Sequence, residues 1–220
     1  MDAILGLFAF IILALVARKL WRHKTLKPLL PWKYNFGKRR NTMRSTMALL
    51  EERGARMLVE TGVARRGLEG TRGDGASTIV FGLCAKQNHA FLHSVDIDSD
   101  AIARVGELIV EFKPNELVQF HASDSVQFLN TFEDQVVFLY LDSYDYDKSD
   151  VDIQRLSQQH HLDEFQAVES RLHQDTVVLI DDCRLPGGGK GKLVIDYLRS
   201  KGWILFCYEY QAILLRQLTA

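Results

Sequence analysis

Acidic residues are missing from the first part of the chain. No Asp or Glu occurs between Asp2 and Glu51, whereas ten Lys or Arg residues fall between Arg18 and Arg44. From Ser45 onward the balance reverses, with 17 basic against 27 acidic residues, a net of −10. The overall formal charge of −1 therefore hides a cationic arm followed by an acidic body. A general nucleic-acid binder carries positive charge on its folded body, so nucleic acid is not expected as a partner. Cysteine is scarce as well. Cys84, Cys183 and Cys207 are odd in number and widely spaced; they suggest neither a disulfide framework nor a zinc cluster, and fit core-filling thiols in a reducing compartment. Internal repeats and low-complexity tracts are absent. At 220 residues, 47% of them hydrophobic and 25% charged, the chain can bury one core, which points to one domain with an appendage.

The appendage is the N-terminus. Ala3 to Ala17 is uncharged and strongly apolar (AILGLFAFIILALVA), and Arg18, Lys19, Arg22, His23, Lys24 and Lys27 follow closely. A spanning helix needs about 20 apolar residues, which the run reaches with Leu20 and Trp21 if Arg18 and Lys19 snorkel to the headgroups. A cleaved signal peptide fits poorly, because the positive charge follows the apolar run and no small-x-small site comes after it. An ordinary amphipathic helix would need a polar face, which the run lacks. Residues 1–21 are thus expected to be a single-pass membrane anchor, with the body (residues 45–220) facing the cytoplasm. Residues 22–44, rich in cations and carrying two prolines, read as a basic juxtamembrane linker lying against anionic headgroups. Thr42 to Arg53 spaces Met43, Met47 and Leu50 for a first helix over the pocket.

From Ala55 the pattern alternates. Strands are expected at 56–60, 90–96, 117–121, 136–141 and 176–180, with helices at 77–86, 99–112, near 125–129, near 163–172 and at 193–200. Two strands at 203–208 and 212–216 close the chain. Alternating β and α elements with β-branched apolar strands imply an α/β sandwich, its mostly parallel sheet covered on both faces. The last connection is too short for a parallel crossover, so the final strand should be antiparallel.

Ligands bind outside the C-terminal ends of strands in such sheets, so the strand ends carry the chemistry. The first ends in Glu60-Thr61-Gly62, and a Gly- and Arg-rich loop runs on to Asp74-Gly75-Ala76-Ser77. Gly62 and Gly75 let backbone approach a ligand closely, and the helix starting at Ser77 offers free N–H groups. Neither G-x-G-x-x-G nor a P-loop is present. The second strand ends in Asp96, about twenty residues beyond the glycine turn, where an acid would accept a ribose hydroxyl pair; Asp98 is placed to cap the next helix. Asp124 after the third strand is placed to accept from an adenine amino group, with Ser123 beside it as a helix cap. Strands four and five end in Asp142 and in Asp181-Asp182. If the two strands are neighbours, three carboxylates converge and need a compensating cation, with all-oxygen ligation favouring Mg2+ or Ca2+. The run Gly187 to Lys192 reads as a pocket rim with Lys190 available to an anionic substrate. His160-His161 reads as a solvated helix start, and Tyr144 and Tyr146 as lining of an acceptor pocket.

The ordered series VETG…DGAST, SVDIDSD, HASDS, FLYLDSYDYD and VVLIDDCRLPGG resembles class I S-adenosylmethionine (SAM)-dependent methyltransferases, nearest the small-molecule O-methyltransferases of catechol and macrocin type. The resemblance spans about Ala55 to Arg216. It implies a Rossmann-like three-layer sandwich, with Glu60, Gly62 and Ser77 around the methionine part of SAM and Gly75 also among the cofactor-binding residues. Asp96 would lie on its ribose, Ser123 and Asp124 would border its adenine, and Asp142, Asp181 and Asp182 would match the family's metal trio. Catechol-type enzymes place a lysine base one turn after the fourth-strand acid; here that place holds Asp145, leaving Lys148 or His160 to act with Asp142. The implied activity is methylation of a hydroxyl on a small or lipid-linked acceptor, aided by a divalent ion such as Mg2+. Two other expectations compete: a membrane-anchored glycosyltransferase using D-x-D strings (Asp96/Asp98, Asp145/Asp147, Asp150/Asp152), and a SAM-binding protein without turnover.

Overall fold

The structure, a computed structural model, describes residues 10–17, 24–112 and 116–216. Its strands are β1 (Met57–Thr61), β2 (Phe91–Asp96), β3 (Val118–Ala122), β4 (Val136–Leu141), β5 (Leu172–Ile180), β6 (Ile204–Tyr208) and β7 (Ala212–Leu215). The longer helices are α1 (Arg40–Glu52), α2 (Ser77–Asn88), α3 (Ser99–Phe112), α4 (Ser125–Thr131), α5 (Val151–Val168) and α6 (Lys192–Ser200). All seven strands form one sheet of order β3-β2-β1-β4-β5-β7-β6. The first five are parallel; β7 inserts between β5 and β6 and is antiparallel to both. Strands four and five are indeed neighbours, which is the condition for their terminal acids to meet.

Side chains alternate across the pleat, so each central strand feeds two cores. Leu58, Phe138, Tyr140, Val177 and Leu179 enter the core under α1, α2 and α3. Val59, Leu139, Leu141, Val178 and Ile180 enter the opposite core, with Phe165 and Val168 of α5 and Val194 and Leu198 of α6. Helix α2 is buried almost all round, from Ser77 to Gly82 and at Cys84 and Ala85, which explains its apolar middle from Ile79 to Ala85. The three cysteines are free thiols, two of them buried.

Two elements depart from expectation. The first is α5, which begins at Val151, well before the helix expected near 163–172. Asp150 caps it by accepting from the N–H groups of Asp152 and Ile153. Its buried stripe is Gln154, Ser157, Gln158, His161, Glu164, Phe165 and Val168, a helical period built mostly from polar side chains, which a search for apolar periodicity passes over. His160 and His161 therefore lie mid-helix, and His161 is fully buried rather than solvated.

The second is the basic linker. Residues 24–39 fold onto the domain instead of leaving it: Leu26, Leu30 and Phe36 are each no more than 1% exposed and belong to the first core. The Phe36 N–H donates to Lys24 O at 2.7 Å, and Arg40 Nε donates to Thr25 O at 3.1 Å, closing the segment on itself. The apolar residues hidden among the cations decide where this segment goes. Of the expected anchor, residues 1–9 and 18–21 lie outside the described residues. Residues 10–17 are helical, with Phe10 and Leu13 exposed. Among the described residues no helix is long and apolar enough to cross a membrane.

Candidate active site

Two cavities open at the C-terminal ends of the parallel strands. The first, about 230 Å3, lies past β2, the β3–α4 loop and β4, and is lined by Asp96, Ile97, Asp124, Ser143, Tyr144 and His160 among others. Asp96 is 4% exposed. Its Oδ2 accepts from the Val63 N–H at 3.0 Å and its Oδ1 from the Asp98 N–H at 2.9 Å, so the carboxylate is braced from both sides at the cavity edge. Asp124 lines the same cavity and is the N-cap of α4, accepting from Gln127 N–H at 2.8 Å. That cap had been expected of Ser123, whose hydroxyl instead donates to Asp124 O. Across the cavity, His160 Nε2 lies 3.1 Å from Ser125 Oγ and 3.4 Å from Glu164 Oε1. Burial alone would lower the His160 pKa, but its contact with Glu164 outweighs burial and raises it.

The second cavity, about 140 Å3, adjoins the ends of β1, β4 and β5 and is lined by Gly62, Arg65, Asp142, Asp182, Lys190 and Tyr210, with Arg39 at its side. Gly62 has φ +85°, and a Cβ there would sit 2.6 Å from Asp142 O; only glycine allows β1 and β4 to end this close. Gly75, also at φ +85°, makes room for the Arg39 side chain, which would lie 2.8 Å from a Cβ. Ser77 and Glu60 line neither cavity. Glu60 is fully buried and accepts from Ser94 Oγ on β2. Burial pushes its pKa up to about 7, against hydrogen bonds from Ser94, Thr78 and Ser77.

The acids of β4 and β5 do converge, but around side-chain cations. Arg39 Nε donates to Asp181 Oδ2 at 2.7 Å and its Nη2 to Asp182 Oδ1 at 3.2 Å, while Nη1 donates to Gly73 O at 2.6 Å. Lys190 Nζ donates to Asp142 Oδ1 at 2.6 Å and lies 3.9 Å from Asp182 Oδ2. Tyr140 Oη donates to Asp181 Oδ2 at 2.5 Å, and Gln211 Nε2 to the same oxygen at 3.3 Å. Burial alone would raise Asp181, but Arg39 and these hydrogen bonds hold its pKa below the usual range. For Asp142 burial prevails and raises the pKa, with Lys190 opposing. Lys190 is itself raised, because its acidic neighbours outweigh the burial that would lower it.

This arrangement does not fit a resident divalent ion. An all-oxygen site needs carboxylates that face one another without competing cations. Here a guanidinium and an ammonium, both about 5% exposed or less, already occupy those oxygens. Among the described residues no group of three or more His, Cys, Asp or Glu side chains could hold a metal. The expected Mg2+ trio of Asp142, Asp181 and Asp182 thus stands in a five-charge cluster with Arg39 and Lys190.

Lys148 is not brought to Asp142. It lies exposed in a shallow surface cleft with Asp145, Tyr146 and Asp147, and the lysine at Asp142 is Lys190, from the loop expected to form a rim. Four of the six D-x-D acids accept from backbone: Asp96 from Val63 and Asp98, Asp98 from Asp100 and Ala101, Asp147 from Ser149, and Asp150 as the cap of α5, while Asp145 pairs with Arg65 and Asp152 lies 3.9 Å from Arg155. No paired metal-nucleotide site results from them.

A five-stranded parallel core, a β7 inserted antiparallel before β6, and paired cavities at the strand ends together define the Rossmann-like methyltransferase class. A family model described as a methyltransferase domain matches residues 71–183, just over half of the sequence, and the chain belongs to this family of SAM-dependent methyltransferases. Among solved structures, the SAH-bound Podospora anserina methyltransferase PaMTH1 superposes with a TM-score of 0.58 at 11% identity, over 82% of this chain and 79% of that one. A methyltransferase from Geobacter sulfurreducens gives 0.58 at 12% identity, with 82% and 79% covered. The O-methyltransferase NovP gives 0.57 at 16% identity, with 82% and 80% covered. At these identities the likeness is one of fold. No curated protein sequence matches the chain.

Proposed function

We propose that the protein transfers the methyl group of SAM to a hydroxyl of a small-molecule acceptor, in the polar cavity between Gly62, Asp142 and Lys190. The observation that carries this reading is the adjacency of the two cavities. The first has a braced strand-end acid, Asp96, and the rings of Tyr144 and His160, and so suits a nucleoside. The second is lined almost wholly by polar groups and suits the reacting atoms. Transfer to oxygen is supported by NovP, named as an O-methyltransferase, and by the chemistry of the Lys190–Asp142 pair.

Bound SAM supplies a methyl group already activated on a sulfonium, so the protein must mainly align the acceptor oxygen and manage one proton. Lys190 has three N–H donors. Those not spent on Asp142 can hold the acceptor oxygen and lower the pKa of its hydroxyl. As the oxygen bonds to the methyl carbon, the carbon–sulfur electron pair returns to sulfur and the hydroxyl proton passes to Asp142. Burial raises the pKa of that carboxyl, making it a better proton acceptor than an exposed one. No step runs through a metal.

The apolar run at residues 3–17 and the cations after it support a tether that keeps the body at the cytoplasmic face of a membrane. Deleting residues 1–21 should then move the protein from the membrane fraction to the soluble one, and unchanged fractionation would reject the tether.

Calorimetry with S-adenosylhomocysteine in the presence of EDTA tests the cofactor site. Binding is expected without added metal, and Asp96→Asn should weaken it by about 10- to 100-fold, the worth of a charge-assisted hydrogen bond. Absence of binding to the wild-type protein would reject the proposal, and binding with no turnover on any hydroxyl acceptor would favour the SAM-binding protein without activity.

A further inference from the structure

We infer that the open cleft beside the transfer cavity binds a phosphate-bearing acceptor, holding its phosphate or pyrophosphate while the acceptor hydroxyl enters the cavity. The inference rests on the reading of that cavity as the methyl-transfer site. The cleft encloses about 860 Å3, within the range of small-molecule binding sites, and shares Arg39, Gly73 and Tyr210 with the transfer cavity. Its cationic lining is Lys24, Lys38, Arg39, Arg72 and Arg184, and Glu209 is the one carboxylate among the lining residues.

The cleft gathers cations that lack an acidic partner. Elsewhere at the strand ends the cations pair with acids, as Arg39, Arg65 and Lys190 do. Among the described residues, Lys24, Lys38, Arg72 and Arg184 have no carboxylate within ion-pair distance. They are held by other means. Lys38 Nζ lies 4.9 Å from the centre of the Tyr210 ring, on which Arg39 also rests at 4.7 Å. Arg184 stacks on Tyr208 at 4.4 Å and donates to its carbonyl at 3.1 Å. The stem of Arg72 crosses Gly37, with Cγ 3.3 Å from where a Cβ would be.

These cations come from three separated segments: the arm before α1, the β1–α2 loop and the β5–α6 loop. The fold therefore assembles an unneutralised positive site on a body whose sequence is net negative, and such a cleft focuses its field on an incoming anion. A lone carboxylate would engage one or two of these groups. Several cations spread along one cleft match a group with many anionic oxygens, and the arginines offer the forked donors that phosphate oxygens accept. The cationic arm thereby gains a role beyond the membrane surface, since it delivers Lys24, Lys38 and Arg39 to the cleft.

A phosphate can arrive on a soluble acceptor or on a lipid headgroup, and two arms of one experiment distinguish them. In the first arm, pyrophosphate is titrated into the full-length protein in detergent micelles by calorimetry. In the second, sedimentation compares retention on phosphatidylcholine vesicles with and without phosphatidic acid. Both are repeated with the Lys38→Ala/Arg72→Ala double variant, whose altered residues are exposed. Pyrophosphate should bind the wild type, and the double variant should lose about 10-fold or more in affinity, with S-adenosylhomocysteine binding unchanged. Loss of the phosphatidic-acid-dependent retention in the variant identifies a lipid source. Unchanged retention alongside lost pyrophosphate binding identifies a soluble one. Equal binding by wild type and variant in both arms, or no phosphate-dependent binding in either, overturns the inference. Failure of the wild type to bind S-adenosylhomocysteine would instead reject the methyl-transfer reading on which it rests.

Discussion

Lys190 approaches Asp142 Oδ1 to 2.6 Å and Asp182 Oδ2 to 3.9 Å, at the place where the resemblance implied a divalent ion. If the ammonium fills that role, removing it should both impair transfer and reopen the place to a metal. Lys190→Ala leaves Asp142 and Asp182 repelling each other, with only Arg39 to compensate. The variant is expected to gain Mn2+ binding, read by electron paramagnetic resonance, and to lose methyl transfer by about 100-fold or more. Mn2+ binding of equal strength by the wild type would show that the side-chain cations do not exclude metal. Glu60 offers a test by pH. Its carboxyl is raised by burial to about 7 in the fold, above the ordinary value near 4.5. A raised acid contributes stability that is fully present below the unfolded-state pKa and is lost as pH rises through the folded one. Glu60→Gln should therefore be more stable relative to wild type at pH 8 than at pH 4.5, by on the order of 2–3 kcal/mol. A pH-independent difference in denaturant midpoints between the two proteins would contradict this.

Which elements could be read in advance depended on what their buried faces are made of. β4 and α3 match their expected bounds, β4 as a short unbroken apolar run and α3 because its apolar side chains recur every three to four residues. The first twelve residues of α5, 151–162, did not show themselves. Its inward face presents Gln154, Ser157, Gln158 and His161; the first three bond loop backbone, and His161 Nδ1 lies 2.6 Å from Ser157 O of its own helix. Gln158 Nε2 donates to the carbonyls of Gly187 and Gly189 at 3.1 Å each, and Ser157 to that of Tyr144. The same logic divides the site. Gly62, Asp96, Asp124, Asp142 and Asp182 could be placed at the cavities because a strand end is recognisable locally. Arg39 stands 142 positions from Asp181, and Lys190 stands 48 from Asp142. No local pattern links such partners. The one available signal was the three-acid convergence itself, which demands positive charge. In the structure the chain itself supplies positive charge there, through Arg39 and Lys190.

At the scale of the whole molecule, the question is where the folded body begins. Composition places a boundary near Ser45, where the charge changes sign, but burial places it at or before Lys24. Leu26, Leu30 and Phe36 are fully buried in the core under α1 and α2; each such side chain contributes about 1.5–3 kcal/mol. Arg39 closes the electrostatics of the site, and removing one partner of a buried pair costs about 3–5 kcal/mol. Together these losses are comparable to the entire stability of a typical domain, about 5–15 kcal/mol. A chain beginning at Lys24 is therefore expected to unfold in one cooperative transition and to bind S-adenosylhomocysteine like the full-length protein. A chain beginning at Thr42, although it keeps every strand, should show no cooperative melt and bind no ligand. The comparison separates the two duties of the cationic arm. If the longer truncation melted at the temperature of the Lys24 form, residues 24–41 would be a surface wrapping, and the Arg39–Asp181 pair would carry little of the fold. If it collapses as expected, the arm is part of the catalytic body, and a membrane tether can act only through the residues that precede it.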